Sequence, residues 1–135
     1  MRECAVNYFK EGYSCSESIV KAACDKGLCD ISLLCVATPF SGGISSGCLC
    51  GAVAGAQLVI GYNFGKNNSF DNDVCARLVA KEFMDRFKKI HKVTCCRILS
   101  SGFEFASAER KANCTNLVAD CAMILEDLIK VKTNA

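Results

Sequence analysis

Apolar positions recur at helical spacing along most of the chain, and no run alternates with the period of two that marks a strand. Ser14-Cys-Ser-Glu17 has the form of a capping box. Ile19, Val20, Ala22 and Ala23 follow it as the apolar face of a helix that should stop near Gly27. A short segment, Ile31 to Ala37, ends near Pro39, and Phe40 to Gly47 reads as a glycine/serine loop. A helix of small residues runs from about Cys50 to Phe64 and stops at Gly65. Lys66 to Asn72 is a polar link. From about Asp73 a long amphipathic helix places Val74, Leu78, Phe83, Phe87 and Ile90 on one face. Lys88, Lys89, His91 and Lys92 fall in its last turn, where positive charge suits the helix end, and His91 reads as a solvated cap. Thr94 is placed to cap a short helix at Cys95 to Leu99. Ser100 to Ala112 fits no pattern. Asn113 is placed to cap a final helix that buries Leu117, Cys121, Ile124, Leu125 and Leu128.

The pattern predicts an all-α chain, a single-domain helical bundle of about five or six helices over residues 1–135. The Cys50–Phe64 helix should be its most buried element, because Gly51, Ala52, Gly55 and Ala56 let neighbours approach closely. Cys48 to Tyr62 is the most apolar run. It is shorter than the roughly 18–20 residues that a membrane span needs, and Gln57 interrupts it, so no membrane is expected.

Charge changes this picture little. Sixteen basic and fourteen acidic side chains leave a formal net charge of +2, and Trp is absent. Neither feature points to nucleic acid as a partner.

Cysteine changes it more. There are twelve, a density that a short secreted chain would use for disulfides. The N-terminus, MRECAVNYFKEGYSC, lacks the apolar core of a signal peptide, and the patterns are helical rather than loop-rich. A cytoplasmic setting with reduced thiols is the expectation. Cys24, Cys35, Cys75 and Cys121 fit apolar helix faces and read as packing residues. Cys15, Cys50, Cys96 and Cys114 each fall near an expected helix start. There the free N–H groups and the helix dipole favour a thiolate and should lower its pKa. A thiolate serves equally as a metal ligand or as a redox nucleophile. No Cys-x-x-Cys occurs, which disfavours a thioredoxin-type site and a zinc ribbon.

These residues resemble the C_GCAxxG_C_C family, small bacterial and archaeal proteins described as redox-active. Gly12-Tyr-Ser-Cys15-Ser-Glu-Ser-Ile looks like the family's opening segment, and Phe40-Ser-Gly-Gly43 like its glycine loop. Cys50-Gly-Ala-Val-Ala-Gly55 with Leu58-Val-Ile-Gly61 looks like its central helix. Cys96-Arg-Ile-Leu99, and Cys114 with Leu117-Val118 and Ala122, look like its last two motifs. The resemblance selects the same four cysteines as the helix-start argument. A similar domain in some multihaem cytochromes accompanies an iron–sulfur centre. The resemblance therefore implies Cys15, Cys50, Cys96 and Cys114 as ligands of an iron–sulfur cluster, 2Fe-2S or 4Fe-4S, with Cys48 and Cys95 as substitutes. Gly51 and Ala52 would make room beside it.

The leading expectation is thus a small iron–sulfur protein, an electron carrier or redox sensor rather than an enzyme, working with a redox partner protein and compatible with a homodimer. The alternatives are a metal-free thiol–disulfide protein, using Cys48/Cys50 or Cys95/Cys96, and a structural Cys4 zinc protein.

Overall fold

A computed structural model describes residues 1–133. Seven α-helices are found among them: α1 (Arg2–Glu11), α2 (Cys15–Asp25), α3 (Leu33–Ala37), α4 (Gly51–Phe64), α5 (Val74–His91), α6 (Cys96–Leu99) and α7 (Ala108–Thr133). The only β-type pairing among the described residues is an isolated antiparallel bridge between Leu49 and Cys95. The chain is therefore an all-α bundle.

The expected local signals account for most of it. Ser14 and Glu17 form both halves of a capping box at the start of α2. α4 lies at the centre, packed on α2, α3, α5 and α7. Gly51, Ala52, Val53, Ala54, Gly55, Ala56, Val59 and Ile60 of this helix are all buried. Gly55 sets the contact with α2. A Cβ there would fall 2.7 Å from the Ser16 carbonyl oxygen and 3.1 Å from Ser16 Cα. The core is completed by Ile19 and Val20 of α2, Val79, Phe83 and Phe87 of α5, and Leu117, Val118, Cys121, Ile124, Leu125, Leu128 and Ile129 of α7. No helix among the described residues is long and apolar enough to cross a membrane.

Several expected details differ. α1 is an additional helix, ended by Gly12 in a left-handed conformation at φ 114°. It packs on α2 and α7. Residues Ala108 to Ala112 belong to α7, which starts five positions before the expected Asn113 cap. The Asn113 amide instead donates to the Leu99 carbonyl at 3.0 Å and ties α7 to α6. Thr94 caps nothing with its side chain, and Cys95 takes the N-cap position of α6. The Thr94 carbonyl accepts the Cys50 N–H at 2.8 Å.

On α5 the buried face is Val79, Phe83 and Phe87, while Val74, Leu78 and Ile90 are exposed. A 3.6-residue period tolerates a face rotated by one position, so the apolar residues alone did not fix the register. Cys35 and Cys75 are exposed and do not pack the core, whereas Cys121 is fully buried as expected. His91 is not a solvated cap. Its Nε2 lies 2.8 Å from Asp120 Oδ2 on α7, and its ring sits 4.7 Å from that of Phe87.

Candidate functional site

The glycine/serine loop builds one wall of the site. Gly42, Gly43, Ile44 and Ser45 all have positive φ, between 56° and 69°. Glycine adopts this region freely, but Ile44, a β-branched residue, pays a steric cost there. Such strain persists only where surrounding contacts hold it. The contacts here are backbone bonds. The Cys48 N–H donates to the Gly43 carbonyl at 2.8 Å, and the Cys96 N–H donates to the Cys48 carbonyl at 2.5 Å. With the Cys50–Thr94 bond, these join the residues before α4 to those before α6 around the Leu49–Cys95 bridge.

This junction lies between two of the expected cysteines. A Cβ on Gly43 would fall 2.7 Å from Cys96 Cβ. The N–H of the adjacent Gly42 acts on the Cys15 thiol and favours its charged form. Gly51 supports the same arrangement from α4. A Cβ there would collide with Cys15 Sγ and lie 2.9 Å from the Phe40 carbonyl oxygen. The missing side chain in the Cys50-Gly-Ala run therefore makes room for a cysteine sulfur. Ala52 is fully buried, and its N–H, with that of Val53, faces the Cys50 thiol.

All four expected cysteines meet in this region. They lie close enough for a negative charge on one sulfur to oppose ionisation of another: Cys96 acts so on Cys15, Cys15 and Cys96 on Cys50, and Cys15 and Cys96 on Cys114. Cys15 is the hub, since Cys121 senses it too. Cys114 joins the group from the second turn of α7, inside the helix and away from its start. The helix-start argument therefore selects it for the wrong reason.

The expected lowering of thiol pKa is overturned at Cys15, Cys50 and Cys114. Burial pushes the Cys50 thiol up to about 12, against the opposing N–H groups of Val53 and Ala52. Burial raises Cys15 and Cys114 as well. Removing a thiolate from water outweighs the first-turn field wherever the sulfur is enclosed. Cys48 is exposed and accepts from Ser46 Oγ at 3.4 Å, while Cys95, half-buried, donates to the Gly47 carbonyl at 3.3 Å.

The iron–sulfur expectation does not survive this geometry. Among the described residues, no group of three or more His, Cys, Asp or Glu side chains is placed to hold a metal ion. A cluster needs its thiolates around one centre, and a zinc site needs four donors at tetrahedral positions close to 2.3 Å from the metal. Cys15, Cys50, Cys96 and Cys114 are neighbours without forming either cage, and Cys48 and Cys95 complete neither. Gly51 and Ala52 accordingly line a thiol group rather than a cofactor. All twelve cysteines are free.

Two solvent-open cavities border these thiols. One, of about 460 Å³, has Cys96, Arg97, Phe105 and Arg110 in its wall beside the Gly42–Gly47 loop. The second, of about 400 Å³, has Cys114, Arg110, Lys111 and Phe9 in its wall and shares Phe105. The sequence reading missed Arg97, Phe105 and Arg110. Arg97 lies inside the Cys96-Arg-Ile-Leu99 motif and was open to view. Phe105 and Arg110 fall in the stretch that showed no periodicity.

An all-α frame holding a group of free thiols beside an open cleft defines a cysteine-rich helical protein as the class. The chain belongs to the C_GCAxxG_C_C family, whose model, described as "Putative redox-active protein (C_GCAxxG_C_C)", matches residues 13–128. No curated protein and no solved structure matches it.

Proposed function

We propose that the chain is a thiol–disulfide redox protein that works without a metal, with Cys96 as the attacking thiol and Cys15 as the resolving one. The carrying observation is the Gly42–Gly43 pair: the Gly42 N–H acts on the Cys15 thiol, and Gly43 lies so close to Cys96 that a Cβ on it would collide with Cys96 Cβ. Access assigns the roles. Cys96 lines the open cavity, while Cys15 lies behind the glycines, within range of all three other thiols of the group.

The chemistry balances with a disulfide as oxidant. The Cys96 thiolate attacks one sulfur of R–S–S–R, forming a mixed disulfide and expelling RS⁻, which takes up a proton. The Cys15 thiolate then attacks the Cys96 sulfur, forming the Cys15–Cys96 bond and expelling the second RS⁻. Two electrons pass to the substrate, and the two protein-derived protons end on its thiols. A reducing, cytoplasmic setting belongs to this reading, because the thiols must be returned to the reduced form between turnovers.

Mapping of the first disulfide tests the assignment. The chain is reduced anaerobically, treated with one equivalent of a small disulfide, quenched with an alkylating agent and digested for mass spectrometry. The expected product is a Cys15–Cys96 bridge, with Cys96→Ser preventing it and Cys15→Ser halting the reaction at the Cys96 mixed disulfide. A first bridge between Cys48 and Cys50, or Cys95 and Cys96, would overturn the assignment.

A further inference from the structure

Cys96 does not face a neutral cleft. Arg97 and Arg110 stand in its cavity wall, and Arg110 with Lys111 in the wall of the adjoining cavity. No carboxylate lines either cavity, although Glu104 and Glu109 flank the segment in sequence. Some cations elsewhere are answered: Arg77 pairs with Asp73, Lys81 with Asp85, Arg86 with both Glu82 and Asp127, and Lys130 with Glu126, while most of the other described lysines and arginines stand unpaired on the surface. Among the described residues, Arg97, Arg110 and Lys111 have no ion pair.

The cationic groups are held in place by other means. Arg97 Nη2 donates to the Ser46 carbonyl at 3.0 Å, which leaves most of its fork unused. The Arg110 guanidinium lies 4.9 Å from the centre of the Phe105 ring, and Lys111 Nζ lies 5.0 Å from that of Phe9. Arginine on an aromatic face keeps its edge donors for a carboxylate. Phe105 is 88% exposed, a large apolar surface left in water at the junction of the two cavities. Each cavity falls in the size range of small-molecule sites.

We propose that these joined cavities take a low-molecular-weight disulfide bearing carboxylates, and that this anionic molecule is the exchange partner of Cys96. The inference rests on the thiol–disulfide reading above. One half of the molecule lies against Arg97 and is transferred to the Cys96 sulfur. The other half lies along Phe105 and Arg110 and leaves as a thiol. A cleft lined by one sign of charge concentrates the opposite sign.

The test compares three disulfides on the full, reduced chain: oxidised glutathione (anionic), 2-hydroxyethyl disulfide (neutral) and cystamine (cationic). The rate of mixed-disulfide formation at Cys96 is read by quenched mass spectrometry. Each rate is divided by that of a free model thiol, so that leaving-group differences cancel. The anionic-to-cationic ratio should exceed that of the model thiol by about tenfold or more. It should fall several-fold in Arg97→Gln and in Arg110→Gln, and also in about 0.5 M salt. Because the ratio cancels any change in the reactivity of Cys96 itself, it reports recognition. Thermal unfolding of both variants controls for folding. A ratio equal to that of the model thiol would overturn the anionic partner and leave thiol exchange standing. Failure of Cys96 to form a mixed disulfide with any of the three would overturn thiol exchange itself.

Discussion

Cys50 shows how a single residue's setting decides its chemistry. It occupies the N-cap position of α4, where a thiolate is favoured by free N–H groups. It is also 4% exposed, and desolvation prevails, leaving a thiol whose pKa is about 12. Such a group is protonated at neutral pH and is a poor attacking nucleophile. It also couples stability to pH. Its folded pKa lies above its unfolded value, so the unfolded chain gives up the proton first as pH rises. The unfolded state then binds fewer protons, and stability must fall. Stability should therefore be flat below the ordinary thiol value of 9.0 and decline from there towards pH 12. Cys29, raised to about 11, and Cys121, fully buried and raised further, add to the same slope. Urea unfolding of the reduced chain should show a midpoint that drops between pH 8 and pH 10, and Cys50→Ala should make the drop shallower. A midpoint unchanged over that range would contradict the buried, protonated state of these thiols.

The elements divide by how local their signals are. α2 was legible because Ser14, Glu17 and four apolar residues carry it within a single segment. α4 was legible because small residues with no periodic face mean burial on all sides. Its neighbour contacts make the reading testable. Gly55→Leu would drive a side chain into the Ser16 backbone, and overpacking of this kind costs about 1–3 kcal/mol. Thermal or denaturant unfolding should show the loss, and an unchanged midpoint would remove α4 from the centre of the bundle. α1 was not recognised, although Gly12 supplies the left-handed residue that ends it. The start of α7 was misplaced for a physical reason. Asn113 has the chemistry of a cap, but its amide finds the Leu99 carbonyl, a tertiary partner that local sequence does not reveal.

At the scale of the whole molecule, the four site cysteines lay open in the sequence, and their use did not. Helix-start position and family resemblance both selected Cys15, Cys50, Cys96 and Cys114, and the fold draws them into one region. Spacing cannot say whether four sulfurs surround a centre or merely adjoin. That depends on the turn at Gly42 and Gly43 and on the burial behind it. The cationic cleft was equally hidden, since Arg97 of α6, Phe105 of the link that follows and Arg110 of α7 meet only in the wall of the folded cavity. The central claim is a reversible dithiol that needs no metal, and redox equilibrium measures it most directly. The metal-free chain would be brought to equilibrium in a series of thiol/disulfide buffers, approached from both the reduced and the oxidised side, with each cysteine counted by differential alkylation. The account predicts that Cys15 and Cys96 lose and regain their thiols together, in one two-electron transition that is the same from either side. Independent oxidation of exposed Cys35, Cys48 and Cys75, with Cys15 and Cys96 staying reduced throughout, would contradict it.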